Sequence, residues 1–328
     1  MLVAINENHE CVLAKQAIKN QNYFCPHCKS KVILKIGTKV IAHFAHVNPC
    51  KIWRSKGESA LHYQTKYKIA SMLKRLNFKV EVEPYYENIQ QFPDIVVNSS
   101  FAIEVQFSNI PLSEIQKRTA GLMSVGLRPF WIIEDIKYRN GKLTLNDHQA
   151  SFINATHRSL YTWQEKFCQL IRYSNIQHLG GRQFLAKRDI VEDMTILLTE
   201  KRHKNMVCYK LGESLINRYI QHCRRKNSVL EPTLSAMYQL QLNDKQVIQQ
   251  FGIIIPLQIY IKPHPIEWQL QLRLLEIHDE LTIANIGAVI KLRDFAYHHY
   301  SKSKLLNKII EQYQNARKLN CNDVQIIY

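Results

Sequence analysis

The chain has 328 residues, a length that predicts two or three domains. Hydrophobic residues make up 46% of it, which is typical of a globular protein. Its 44 lysines and arginines against 27 acids give a formal charge of +17, which indicates a polyanionic partner, with nucleic acid favoured over an anionic membrane surface. Eight cysteines are too sparse for a disulfide framework, and the sequence contains neither a secretory signal nor an apolar run of membrane-spanning length. We therefore expect a reduced, cytoplasmic protein without a membrane span.

The first predicted element is a zinc-binding hairpin. Cys25 and Cys28 have the C-x₂-C spacing of a zinc knuckle, and His43 and His46 supply a second pair of ligands. Because the H-x₂-H spacing is tighter than in the usual finger, Cys50 is an alternative to one of the histidines. Four protein ligands would make this zinc structural rather than catalytic. The other interpretation is a plain β-hairpin with reduced cysteines and hydrogen-bonded histidines.

The next segment is predicted to fold as a helix, three strands, a helix and a strand. ESALHYQTKYKIASMLKRLN has the apolar spacing of a helix, and FKVEVE alternates as a strand does. FPDIVVN and FAIEVQFS follow as the second and third strands, separated by a turn. PLSEIQKRTAGLMSVG is then predicted as a helix, and RPFWIIED as a buried strand of a mixed sheet.

Charge is unevenly distributed over these elements. Lys51 to Lys79 contains eight lysines and arginines and one acid, whereas Glu81 to Glu104 contains five acids and no lysine or arginine. A short acidic block between strands is what a site for a hard divalent cation needs, because Mg²⁺ prefers carboxylate ligands. A solvated acidic edge is the alternative.

Two of the strands bring polar side chains together. Residues two apart on a strand face the same side, so Glu104 and Gln106 project together from the third strand, with Asp94 facing them from the second. An inward-facing acid on an exposed sheet edge is the alternative for Glu104. With Glu58 in the first helix, the Pro93-Asp94 and Glu104-Val105-Gln106 patterns resemble the PD-(D/E)xK nuclease superfamily.

The order of motifs is also similar to the competence protein CoiA family: CPHC, HFAH, GESALHYQTK, PDIVV, AIEVQFS, an arginine in the next helix and a tryptophan in the fourth strand. These motifs run from Cys25 to Trp131, and HPIEWQLQL further on is a weaker match. The resemblance implies an α/β restriction-endonuclease-like core (αβββαβ, mixed sheet) with an N-terminal zinc-knuckle module. It also implies a metal-dependent DNA nuclease that acts on incoming single-stranded DNA in natural transformation, with a recombinase of RecA type as a possible partner.

The resemblance assigns roles to the acidic residues and the amide. Asp94, Glu104 and the backbone carbonyl of Val105 would hold Mg²⁺ or Mn²⁺, and Glu58 would complete the shell directly or through water. Many relatives have a lysine at the position of Gln106. An amide there can position water and donate to a phosphate, but it cannot accept a proton as a general base.

Four further side chains are candidate DNA contacts. His62 and Lys66 follow Glu58 at i+4 and i+8 and so lie along the same helical face. Lys117 and Arg118 begin the next helix, and the resemblance favours Arg118 of the two. A polar helix face in water is the alternative for each pair.

Beyond about residue 150 the sequence predicts a mainly α-helical C-terminal region, from the spacing in IVEDMTILLTEKRHK, SLINRYIQHC, TLSAMYQLQL, WQLQLRLLEIHDEL and LLNKIIEQYQNARKL. Lys201 to Lys226 is a second basic segment, suited to phosphate contact or to a solvated helix face. We expect three domains: a zinc-binding β-rich module over 1–52, a nuclease core over 53–150 and a helical domain over 151–328.

Three functions remain open from the sequence. The first is a metal-dependent DNA nuclease or DNA-processing factor. The second is a non-catalytic DNA-binding accessory to a recombinase, in which Gln106 marks a dormant nuclease fold. The third is a zinc-containing interaction module that binds a recombinase.

Overall fold

The computed structural model describes residues 1–37, 42–48, 59–197, 207–228, 230–297, 300–318 and 325–327. The predictions for Cys50 and Glu58 lie outside these residues. The chain divides into two compact units: the first comprises Met1–Asp135, Leu160–Arg172 and Ile190–Glu200, and the second comprises Ile136–Ser159, Tyr173–Asp189 and Lys201–Tyr328. No helix in the part of the chain described here has the length and apolar character needed to cross a membrane.

The described residues form a mixed set of strands and helices. The strands are β1 (Val3–Ile5), β2 (Cys11–Leu13), β3 (Tyr23–Phe24), β4 (Lys31–Lys35), β5 (His43–His46), β6 (Val80–Val82), β7 (Ile95–Val97), β8 (Phe101–Gln106), β9 (Arg128–Glu134), β10 (Tyr138–Arg139), β11 (Lys142–Thr144), β12 (Leu160–Gln164), β13 (Gln169–Gly180), β14 (Gln183–Ile190), β15 (Tyr209–Leu211), β16 (Ile253–Ile254) and β17 (Gln325–Ile327). The α-helices are α1 (Ala60–Arg75), α2 (Leu112–Ser124), α3 (Asp147–Ser151), α4 (Glu213–Arg225), α5 (Pro232–Gln239), α6 (Asp244–Gln250), α7 (Pro265–Ile277), α8 (Ile283–Val289) and α9 (Lys302–Arg317).

The amino-terminal part of the first unit is a five-stranded sheet with the order β2-β1-β3-β4-β5. Its pairings are antiparallel, as short hairpin connections require. Tyr23, Val32 and Phe44 are buried in its small core. The sheet thus holds the C-x₂-C loop after β3 close to β5.

The remainder of the first unit contains the order α1-β6-β7-β8-α2-β9, which is the predicted order of helix, three strands, helix and strand. The strands lie in the order β12-β9-β8-β7-β6. The β6-β7 and β7-β8 pairs are antiparallel, whereas β8-β9 and β9-β12 are parallel, so the sheet is mixed.

Both faces of this sheet are covered by apolar side chains. Ile69 and Leu73 of α1 pack with Ile103 and Val105 of β8 on one face. Ala102 of β8 lies in a separate cluster on the other face, with Leu122 and Leu127 at the end of α2 and just beyond it. Because side chains alternate along a strand, Glu104 and Gln106 share the face of Ala102.

The second unit contains the sheet segment β10-β11-β14-β13, the small sheet β16-β15-β17 and most of the helices. The predicted helices in SLINRYIQHC, TLSAMYQLQL, WQLQLRLLEIHDEL and LLNKIIEQYQNARKL correspond to α4, α5, α7 and α9. The apolar faces of α4, α5 and α7, with residues such as Ile216, Ile220 and Leu270, form one buried cluster.

The expectation of a mainly helical chain beyond residue 150 is wrong for residues 160–190, which form β12, β13 and β14. The buried residues Phe184 and Ala186 in β14 recur every second residue, which is the period of a strand, and β13 is buried over most of its length. The predicted helix in IVEDMTILLTEKRHK is also wrong for residues 190–197. There β14 ends at Ile190 and a short 3₁₀ turn, Met194–Leu197, follows.

Candidate active site and metal centre

Asp94 lies just before β7, at the centre of a buried network of hydrogen bonds. Its Oδ2 accepts a hydrogen bond of 2.8 Å from the amide of Val105. Nε2 of His62 lies 3.4 Å from the same oxygen, and Nζ of Lys66 lies 3.3 Å from Oδ1. Helix α1 positions both partners, because the Ser59 side chain caps its first turn by accepting from the His62 amide. Asp94 therefore links β8 to α1.

Lys66 forms its shorter ion pair with Glu83, at 2.7 Å from Nζ to Oε1. Glu83 follows β6, and its Oε2 accepts from the amide of Leu2 at 2.9 Å. Lys66 has a relative accessibility of 0%, and Glu83 and Asp94 are also buried. The predicted contact of Lys66 with DNA phosphates does not fit this position, because an ammonium with no solvent-exposed surface pairs with carboxylates inside the protein.

Glu104 is held from the opposite side by Arg118 of α2, whose Nη2 donates to its Oε2. The Arg118 guanidinium also stacks over the Trp131 ring of β9, 5.0 Å from the centroid. Trp131 in turn donates from Nε1 to the Thr119 hydroxyl at 3.0 Å. Arg118 thus neutralises a buried carboxylate and fixes its orientation, whereas the sequence predicted a DNA contact for it.

The register of β7 and β8 places the backbone positions of Asp94 and Glu104 next to each other. Ile95 pairs with Ile103 in this antiparallel ladder, so Asp94 stands opposite Glu104. Directly opposed residues have Cβ atoms roughly 5 Å apart. The facing of the Asp94 and Glu104 side chains stays a prediction, since Asp94 contacts Lys66 of α1 and Glu104 contacts Arg118 of α2.

Gln106 is buried at the end of β8, on the same face as Glu104. Its Nε2 donates to the carbonyl oxygen and to the hydroxyl of Ser108, at 2.7 and 2.9 Å. Both contacts use the amide nitrogen, so the loop after β8 sets the orientation of the side chain. The neighbouring Phe107 ring lies 5.9 Å from the ring of His62.

The electrostatics of the site keep its carboxylates charged. Burial is the largest single influence and raises the pKa of both carboxyls, but the charge of Lys66 together with smaller hydrogen-bond and charge contributions holds the pKa values of Asp94 and Glu83 below their ordinary range. His62 and Arg118 lower the pKa of Asp94 further, to a smaller extent. The site is therefore an array of buried carboxylates with compensating cations.

Oxygen donors of the kind that a hard divalent cation prefers lie in this region. Asp94 and Glu104 offer carboxylate oxygens from adjacent strands, and the Val105 carbonyl belongs to the same strand as Glu104. Lys66 and Arg118 meet part of the negative charge of these acids. Lys117 is exposed one residue before Arg118, where it is available to a ligand.

Cys25, Cys28 and His46 form a second cluster, in the amino-terminal sheet. One ligand atom from each lies within 4.8 Å of the other two, and Cys28 Sγ is 3.3 Å from His46 Nε2. Tetrahedral zinc with bonds of about 2.0–2.3 Å needs ligand atoms at such separations. Three residues of the predicted zinc set thus fit a structural zinc.

His43 does not join this cluster, contrary to the predicted set. It lies three residues before His46 on β5, and positions an odd number of residues apart on a strand face opposite sides. Its ring instead stacks on Tyr63 of α1, with centroids 5.9 Å apart and planes 15° apart. Cys50, the alternative ligand, is outside the described residues.

The knuckle also contacts the carboxylate network. His27, between the two cysteines, has Nε2 at 3.2 Å from the backbone oxygen of Glu83. Because a carbonyl only accepts, this ring nitrogen is the donor. The His27 ring packs edge-on against Phe92, which precedes Asp94 by two residues. The cysteine loop therefore helps to position Glu83 and the start of β7.

Sequence reasoning missed Glu83 and His27. In the sequence, Glu83 is only one of five acids in a block. Its φ of 51° is not that of a strand residue, so strand alternation does not predict where its side chain points. Lys66 is the signal in the sequence that points to Glu83. A lysine on a buried helical face needs an acidic partner, and Glu83 is one of the acids in the following block. Nothing in the sequence indicates a role for His27 apart from its place in the CPHC motif.

We predict that His46→Ala loses zinc, whereas His43→Ala retains about one zinc per chain. Cys25→Ser combined with Cys28→Ser should also lose zinc and lower the free energy of unfolding, because a structural zinc is coupled to folding. Zinc content by inductively coupled plasma mass spectrometry, together with urea denaturation, measures both effects. A reduced, folded wild-type preparation without metal would contradict the zinc site, and equal zinc loss in both histidine variants would contradict this ligand set.

Comparison with known proteins places these features in a family context. Residues 58–205 match the family model described as competence protein CoiA, nuclease-like domain, and residues 6–52 match the competence protein CoiA, N-terminal domain. The competence protein CoiA of Bacillus subtilis (strain 168) is 30% identical over 170 residues, a match that covers 49% of this chain and 45% of that protein. The chain thus matches less than half the length of this relative. No solved structure matches significantly.

Proposed function

The chain belongs to the competence protein CoiA family, and on this premise we propose that it is a metal-dependent deoxyribonuclease acting on DNA during natural transformation. The observation that carries the proposal is the presence of two buried carboxylates, Asp94 just before β7 and Glu104 in the neighbouring strand β8, within the residues that match the nuclease-like domain. Buried carboxylates that remain charged are costly, and their presence in pairs is typical of functional sites.

The proposed reaction is hydrolysis of a phosphodiester bond. Asp94, Glu104 and the Val105 carbonyl would hold Mg²⁺ or Mn²⁺, which when bound activates water and neutralises charge on the phosphate. The Val105 amide and Lys66 keep Asp94 ionised and oriented for this role. Arg118 orients Glu104 in a similar way. The protein groups therefore maintain a fixed set of oxygen donors. Glu58 remains a proposed additional ligand.

Lys66 supplies the positive charge that Gln106 lacks. A lysine at position 106 would approach the site from β8, whereas Lys66 reaches Asp94 from α1. The Gln106 amide, held by Ser108, is suited to orienting water through its side-chain oxygen. We therefore propose that Gln106 has an auxiliary role in catalysis. The carboxylates and Lys66 have the main electrostatic role.

The proposal also includes further contacts with DNA and a partner protein. The exposed Lys117 contacts the DNA backbone, and the basic segments Lys51 to Lys79 and Lys201 to Lys226 add phosphate contacts with little sequence preference. His62 lies between the solvent and Asp94 and is suited to a phosphate contact at the rim of the site. We propose single-stranded DNA as the substrate and a recombinase of RecA type as a partner.

The zinc knuckle has a structural part in this proposal. His27 reaches the backbone of Glu83, so a zinc held by Cys25, Cys28 and His46 would stabilise one wall of the carboxylate network. We further propose that residues 1–52, 53–150 and 151–328 act as a zinc module, a nuclease core and a third domain.

A non-catalytic DNA-binding accessory is the second candidate, and one observation favours it. Lys66 and Arg118 already neutralise the carboxylates of Asp94 and Glu104, and the residue at 106 is uncharged. Such a site holds together without a divalent cation. The same protein would then bind DNA and a recombinase with its nuclease site dormant.

Incubation of purified protein with labelled single-stranded and duplex DNA, with Mg²⁺, Mn²⁺ or EDTA, tests the proposed function. We expect cleavage with a divalent metal and none with EDTA, and preferential cleavage of the single strand. Asp94→Asn, which preserves the shape of the side chain, should abolish cleavage while DNA binding persists. Tight DNA binding without cleavage under any metal would select the accessory instead.

A further inference from the structure

A groove of about 620 Å³ runs along the flank of α1 that faces away from the carboxylate network. It is formed between this helix and the amino-terminal sheet, with both walls in the first unit. Its lining includes the polar and charged side chains Lys15, Gln64, Lys68, Ser71 and Arg75, and Lys68 donates to the thiol of Cys168 at 2.5 Å. This volume lies within the range of pockets that hold an organic ligand, roughly 300–1,000 Å³.

The charge of the groove is entirely positive. Lys15, Lys68 and Arg75 line it, and no acidic side chain appears among the described residues of its walls. Three cations in one concave surface repel each other, and low-dielectric walls focus their potential into the groove. An anionic ligand would relieve this repulsion, so the groove is complementary to phosphate groups.

The polar side chains form a regular row. Gln64, Lys68, Ser71 and Arg75 are spaced by four, three and four residues, which places them along one stripe of α1. Such a row offers donors about every 5–6 Å along the helix, a spacing that can follow successive phosphates of an extended strand.

Tyr67 adds an aromatic surface to the same groove. Its ring is half-buried, and Lys15 Nζ lies 4.9 Å from the ring centroid. A cation beside an aromatic ring provides both a phosphate contact and a surface on which a base can stack. This combination is characteristic of proteins that bind single-stranded nucleic acid without sequence preference.

The groove and the carboxylate network are separated by a thin wall. Leu2 lines the groove, and its backbone amide donates to Oε2 of Glu83. On α1, Lys66 points to the network while the adjacent Tyr67 lines the groove. A strand lying in the groove would therefore follow the side of α1 opposite Lys66, with Leu2 between the strand and Glu83.

We propose that this groove binds a segment of single-stranded DNA, with Lys15, Lys68 and Arg75 on its phosphates and a base against Tyr67. The inference rests on the proposed action on DNA and assigns the path of the strand. A concavity of this volume accepts a single strand with unstacked bases, whereas a duplex would have to bind across an open surface.

The test compares two variants of the full-length protein that lose the same charge. Lys15→Gln with Lys68→Gln removes two cations from the groove, and Lys19→Gln with Lys31→Gln removes two exposed cations elsewhere on the amino-terminal sheet region. Fluorescence anisotropy with a labelled single-stranded oligonucleotide measures affinity between about 50 and 200 mM salt. Each phosphate contact contributes about 0.7 to the slope of log K against log salt for a single strand.

We expect the groove variant to bind about fivefold more weakly or worse, with its salt slope reduced by about 1.4, and the control to match the wild type. Equal affinities and slopes for the two variants, with the wild type binding DNA, would overturn the groove while leaving the proposed function intact. Wild-type protein that binds no DNA at all would overturn both.

A crosslinking experiment covers the case in which the groove variant does not fold. Benzoylphenylalanine in place of Tyr67 should crosslink to the labelled single strand, whereas the same residue in place of the exposed Tyr238 should not. Crosslinking at neither position, with binding retained, would contradict the proposed path of the strand.

Discussion

Replacing Lys66 by methionine is expected to lower the free energy of unfolding by about 3–5 kcal/mol. The ammonium of Lys66 is fully buried between Glu83 and Asp94, at 2.7 and 3.3 Å from their oxygens. Methionine has a similar length but no charge, so it would leave two buried carboxylates without their main compensating cation. Urea denaturation of the wild type and the variant at neutral pH, followed by circular dichroism, measures the difference.

Lys74→Met is the matched control for Lys66→Met. Lys74 lies on the same helix but is exposed, so its replacement should change the free energy of unfolding by less than about 0.5 kcal/mol. Adding Glu83→Gln to Lys66→Met should recover part of the lost stability, because it removes one of the uncompensated charges. Equal stability of Lys66→Met and Lys74→Met would show that Lys66 does not support the network.

Glu104→Gln is expected to reduce DNA cleavage by about a thousandfold or more, since loss of a metal ligand forfeits several kcal/mol of transition-state stabilisation. Glutamine keeps the shape of the side chain beside Arg118 and Trp131. Gln106→Ala should reduce cleavage only about tenfold, because it removes one neutral hydrogen-bonding group. Gln106→Lys should preserve or increase activity if the space near Ser108 admits the ammonium. Initial rates at saturating DNA and metal compare the three variants.

Ser108→Ala provides a matched change beside Gln106. It removes the hydroxyl that accepts from the Gln106 amide but leaves the Ser108 carbonyl contact, so its effect should be smaller than that of Gln106→Ala. If Gln106→Ala is as damaging as Glu104→Gln, an auxiliary amide is the wrong description. If neither change affects cleavage, β8 is not part of the active site.

Several features of this protein could be predicted from the sequence because they depend on local patterns. The order of helix, three strands, helix and strand follows from apolar periodicity, and the structure has this order. The shared face of Glu104 and Gln106 follows from the two-residue period of a strand. The closeness of Cys25 and Cys28 follows from a spacing that spans one tight turn.

Other features depended on whether a segment has the 3.6-residue period of a helix or the two-residue period of a strand. The sequence HFAH forms β5, and a strand separates the faces of His43 and His46, so only His46 joins the cysteines. The same applies to β14, where Phe184 and Ala186 are buried at alternate positions in a region for which the sequence predicts helices. The pattern was present in both cases, but short segments fit more than one period.

Only the tertiary structure decided how the charges of the site are paired. Lys66 and Lys68 are two residues apart on one helix, yet Lys66 is fully buried against Glu83 and Asp94 while Lys68 lines the basic groove. Glu83 and Arg118 likewise acquire their partners from segments distant in sequence. A local pattern shows which face of a helix a side chain occupies, but the energy of a buried charge depends on which opposite charges the rest of the fold brings within about 4 Å.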